Sequence, residues 1–104
     1  MSPLPSYGLE KTRGAASHLA TADAPLRSRL DVALREFCAA NDSRQFPAAL
    51  WPEVKALQDE VNRIADRSRD GSLKAALSSM RDEDVEHLAE RLFNLYVKLA
   101  EGWD

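Results

Sequence analysis

Cysteine is nearly absent from this sequence: Cys38 stands alone among 104 residues. That excludes an internal disulfide framework and fits a reducing compartment. Glycine occurs four times and is scattered, so no phosphate-cradling loop can be assembled. The nearest approach, Asp70-Gly71-Ser72-Leu73-Lys74, lacks the required spacing. No apolar run approaches the roughly 20 residues needed to cross a bilayer. Met1 to Glu10 has neither the basic nor the apolar region of a secretory signal, so a cytoplasmic location is expected. No alternating β pattern, internal repeat or low-complexity tract is visible. Neither sign of charge dominates: 14 Lys and Arg against 17 Asp and Glu give a formal charge of −3. This is a small, mildly acidic protein, not a polycation built for nucleic acid.

What remains is helical periodicity. Met1 to Gly8, rich in Pro, Ser and Gly, reads as a flexible N-terminal arm, with one helical-bundle domain over 9–104. Leu9 to Ala22 carries a weak helical pattern through Leu9, Ala16, Leu19 and Ala20. Asp23 is placed to cap a second helix, with Pro25 in its first turn and Leu26, Leu30, Ala33, Leu34 and Phe37 in phase, running to about Ala40. Phe46 to Leu50 reads as a turn. A third helix starts at Trp51-Pro52-Glu53, shows Val54, Leu57, Val61, Ile64 and Ala65 on one stripe, and ends at Asp70-Gly71. Ser72 caps a short fourth helix bearing Leu73, Ala76, Leu77 and Met80. The acidic run Asp82-Glu83-Asp84 suits the positive end of a fifth, which Gly102 terminates. The fold class is therefore all-α: an antiparallel bundle of four to five short helices, with the C-terminal helix central or at a subunit interface.

That last helix is apolar over too much of its circumference. Val85, Leu88, Leu92, Leu95 and Leu99 form one line, and Ala89, Phe93, Tyr96, Val97 and Ala100 form a second beside it. Together they cover about 200° of arc, about twice the stripe of an ordinary surface helix. Such a helix is covered on two sides, either by its own domain or by another chain. Charge is also uneven: residues 1–52 hold six cations against five anions (+1), and residues 53–104 hold eight against twelve (−4). A partner for the acidic half would carry a basic rim.

Candidate chemistry is thin. Asp84 and Glu83 lie three and four residues before His87, the spacing of a carboxylate–imidazole metal pair. A di-metal bundle needs such a pair twice, and His87 falls within the polar arc of its helix, so it reads as a solvated side chain. No metal and no cofactor are expected. Met80 to Ala89 is similar to the opening of the C-terminal helix in small c-type cytochromes. The similarity spans ten residues and lacks the Cys-x-x-Cys-His haem attachment, so it is read as shared helix-start chemistry and assigns no family. Cys38 sits at the edge of the second helix's stripe, where a small buried thiol is the common case, and no signature pairs it with His18 or His87. No catalytic residues are assigned, and the protein is expected not to be an enzyme.

Arg27, Arg29 and Arg35 on the second helix, and Arg63, Arg67, Arg69 and Lys74 on and after the third, offer phosphate contacts. Interleaved acids, Asp59, Glu60, Asp66 and Asp70, give a cheaper account through pairs such as Asp59–Arg63. A nucleic-acid-associated role is therefore the alternative. The first expectation is a non-enzymatic protein–protein interaction module of regulatory, inhibitor or adaptor type. It presents Ala89, Phe93, Tyr96, Val97 and Ala100, with Trp103 from the tail, to a second copy or to another protein.

Overall fold

The computed structural model describes residues 3–68 and 70–102 and is all-helical, with no strand among them. The order is α1 (Pro3–Thr21), α2 (Leu26–Phe37), a 3₁₀ turn (Ser43–Gln45), α3 (Trp51–Asp66), α4 (Leu73–Ser79) and α5 (Asp82–Gly102). The five helices form a bundle around one core, to which every helix contributes.

The expected arm at 1–8 is helical from Pro3. Pro3 and Pro5 fall within the first four positions, where backbone N–H groups have no intrahelical partner and a proline loses nothing. Gly8 is buried inside the helix because α1 lies directly on the 3₁₀ turn: a Cβ there would stand 2.0 Å from the Gln45 carbonyl oxygen. Thr12, fully buried, donates its hydroxyl to the Gly8 carbonyl in a hydrogen bond of 2.8 Å.

Asp23 does not cap α2. The cap position is Pro25, whose hydrocarbon ring cannot accept a hydrogen bond, and the helix begins one residue later. Residues before proline are biased away from helical backbone, which moves the start past Ala24. Arg29 ties the junction together, donating to the carbonyls of Ala24 (2.8 Å) and Leu19 (2.6 Å). α2 ends at Phe37, short of Ala40.

The 3₁₀ turn is built by a reciprocal cap. Asp42 accepts from the Arg44 amide at 2.9 Å, and Gln45 accepts from the Asp42 amide at 3.1 Å. The Arg44 guanidinium and amide hold the Asp42 carboxyl down to about 2. Phe46 then stacks on Trp51 at 5.8 Å and anchors the start of α3. Gly71, at φ 72°, is the only positive-φ residue among those described, and Ser72 caps α4 by accepting from Ala75 at 3.0 Å.

α5 packs against α1, α2 and α3. Its inner line is buried throughout, Leu92 and Leu99 completely. Burying a leucine contributes about 1.5–3 kcal/mol, so these residues make α5 a principal source of stability. Lys98 near its C-terminus meets Glu53 in the first turn of α3 at 2.9 Å, as an antiparallel pairing of the two helices requires.

Candidate functional site

The outer line of α5 is only partly covered. Ala89 packs against the core, Tyr96 and Val97 are half-buried, and Ala100 is exposed. Phe93 is 46% exposed, and the one other large apolar side chain that is exposed among the described residues is Val32 at 37%. Phe93 and Tyr96 contact each other on the surface, with ring centroids 6.3 Å apart and planes tilted by 56°. Trp103 lies outside the described residues.

Local helical geometry explains the patch. Phe93 and Tyr96 are three residues apart and therefore neighbours on one face. Glu86 stands seven residues before Phe93 and Glu90 seven before Val97, so each exposed acid is nearly in line with an apolar residue at about 100° per position. The result is an aromatic ridge with an acidic edge.

The arginines of the basic sets are mostly engaged within the fold. Arg27 donates to the Leu77 carbonyl and pairs with Asp82 at 2.5 Å, joining the start of α2 to the end of α4 and the start of α5. Arg35 forks onto Asp31, whose side chain is buried against the bundle. The expected Asp59–Arg63 pair does not form: Asp59 pairs with Lys55 at 3.1 Å and Arg63 with Glu60 at 2.6 Å. Both alternatives are also one helical turn apart, and sequence spacing does not rank them.

His87 is exposed, while Asp84 and Glu83, its candidate co-ligands, both bond Arg81 at 3.3 Å. Among the described residues no three His, Cys, Asp or Glu side chains converge as a metal site. Cys38 is half-buried, and burial pushes its thiol up to about 11. Raised this far, it is a poor nucleophile at neutral pH.

Sequence reasoning missed Gln58 and Asp31, both buried polar residues that bond across or along helices rather than to a ligand. Gln58 sits within the α3 stripe, and only the Ala40 carbonyl in the segment after α2 explains a polar residue there. No helix among the described residues is long and apolar enough to cross a membrane. Comparison with protein-family models, curated proteins and solved structures finds no match for this chain.

Proposed function

We propose that this protein is a non-enzymatic interaction module whose docking surface is the outer line of α5. The observation that carries the reading is the exposure of Phe93, in contact with Tyr96, on a helix whose inner line is buried throughout. Large aromatic groups supply much of the energy of protein interfaces once water is excluded from around them.

A second copy of the chain is the partner the ridge suits best. Reversing the helix direction about its midpoint places Ala89 opposite Ala100 and Phe93 opposite Tyr96, so the line is self-complementary, as a two-fold contact requires. The two alanines let the backbones approach at the ends while the aromatics interleave in the middle. Each copy carries a formal charge of −3, with Glu86 and Glu90 beside the ridge, so the two copies repel each other. This association is therefore weak at low salt and strengthens as screening rises.

Two variants test the reading by light scattering after size-exclusion chromatography. Phe93→Ala and Val97→Glu should abolish association while leaving the unfolding transition near that of the parent. A Val97→Glu protein that associates as the parent does would exclude this face. One that loses several kcal/mol of stability would make Val97 a core residue.

A further inference from the structure

On the opposite side of α5 lies an open groove of about 740 Å³, formed with α3 and α4. Positions 91 and 93 of one helix point about 160° apart, so the groove and the Phe93 ridge are separate surfaces. The groove exists because α4 turns small side chains toward it. Ala75, Ala76 and Ser79 stand where larger groups would fill the space between α3 and α5. Ile64, Met80 and Leu88 add apolar surface.

The charges at the rim are unequal in their freedom. Glu60 and Asp84 border the groove, but Glu60 is paired with Arg63 and Asp84 with Arg81. Arg67 at the end of α3 and Arg91 on α5 also border it, and among the described residues neither forms an ion pair or a side-chain hydrogen bond. His87 lies beside them. The uncompensated charge facing this partly apolar space is therefore positive. Its volume lies in the range of small-molecule sites, about 300–1,000 Å³.

We infer that this groove binds an amphipathic organic anion, an apolar body carrying one carboxylate, sulfonate or phosphate head. The body lies over Ala76, Met80 and Leu88, and the head takes hydrogen bonds from Arg67 and Arg91. Guanidinium groups suit planar oxyanion heads because their donors form a fixed fork. The reading is independent of α5-mediated association, since it uses neither Phe93 nor Tyr96.

Laurate is the probe, with dodecyltrimethylammonium as the matched cation of equal chain length. Binding is followed by titration calorimetry and located by NMR shifts of the Ala75, Ala76 and Met80 methyl groups. Below its critical micelle concentration, laurate should bind at least tenfold more tightly than the cation. It should shift those methyls and leave the Phe93 ring unmoved. The double variant Arg67→Gln with Arg91→Gln should lose at least tenfold in laurate affinity. Ala75→Leu, which fills the groove and keeps the charges, should lose binding as well. No laurate binding, equal binding of the cation, or shifts confined to Phe93 and Tyr96 would each overturn the inference. The last result would still leave the ridge intact as a docking surface.

Discussion

The side-chain amide of Gln58 on α3 donates to the carbonyl of Ala40 at 2.7 Å, with a longer contact to the carbonyl of Phe37 at 3.4 Å. Ala40 lies three residues beyond the end of α2, so its carbonyl has no helical partner, and Ala40 is buried inside the bundle, away from water. A glutamine in an otherwise apolar stripe supplies the missing donor. Gln58→Leu keeps the volume but leaves the Ala40 carbonyl unsatisfied, at a cost of about 1–3 kcal/mol. Urea denaturation followed by circular dichroism should show a lower midpoint with an unchanged slope. An unchanged midpoint would mean that water satisfies these carbonyls.

The two helical glycines of α1 should respond in opposite directions to alanine. At Gly8 the added methyl meets the Gln45 carbonyl at 2.0 Å, an atom of backbone that gives way only if α1 moves off the 3₁₀ turn. Gly8→Ala should therefore lose about 1–3 kcal/mol through overpacking. At Gly14 the methyl meets the carboxylate of Glu36, the free end of a flexible side chain. Gly14→Ala should be neutral or gain up to about 1 kcal/mol from the better helix propensity of alanine. Thermal unfolding of the two variants side by side checks both signs.

Cys38 should react slowly. With the thiol pushed up to about 11, only roughly one molecule in a thousand carries a thiolate at pH 8, against about one in ten at the ordinary value of 9.0. Iodoacetamide alkylation of the folded protein should be about a hundredfold slower than in denaturant, and should accelerate up to pH 11. The sign for stability follows. Below pH 9 the thiol is neutral in both states. Above it the unfolded chain ionises first, so stability falls as pH rises from 9 through 11. A folded-state rate that levels off near pH 9 would contradict this.

Most of the architecture was legible because it rests on periodicity and on local capping. The α3 stripe Val54, Leu57, Val61 and Ile64 is buried as its spacing requires, and Ser72 caps α4 through its own hydroxyl. The acidic first turn of α5 and its buried inner line also follow from sequence. What was illegible depends on residues far apart in the chain. The helical backbone over 3–8 rests on Gly8 meeting Gln45, and the polar character of Gln58 depends on where α2 ends. Asp23 illustrates a local conflict: a good capping residue is bypassed because Pro25 shifts the helix start.

The candidate surface divides in the same way. Spacing alone identified two apolar lines on α5, but it could not distinguish an outer line covered by α1 and α2 from one left open. Packing decides the matter residue by residue: Ala89 is partly covered by the core, Phe93 is left exposed. The groove behind Arg91 left no trace in the sequence, since it arises from small residues on α4 facing two other helices.

The most direct test of the proposed docking surface is the mass of the unmodified protein by light scattering, from micromolar to millimolar concentration, at low and at high sodium chloride. A two-fold contact along Ala89, Phe93, Tyr96, Val97 and Ala100, between copies that each carry a formal charge of −3, predicts a monomer that becomes a dimer as concentration rises. The transition should move to lower concentration in high salt. A monomer throughout, or a dimer that salt dissociates, would contradict it.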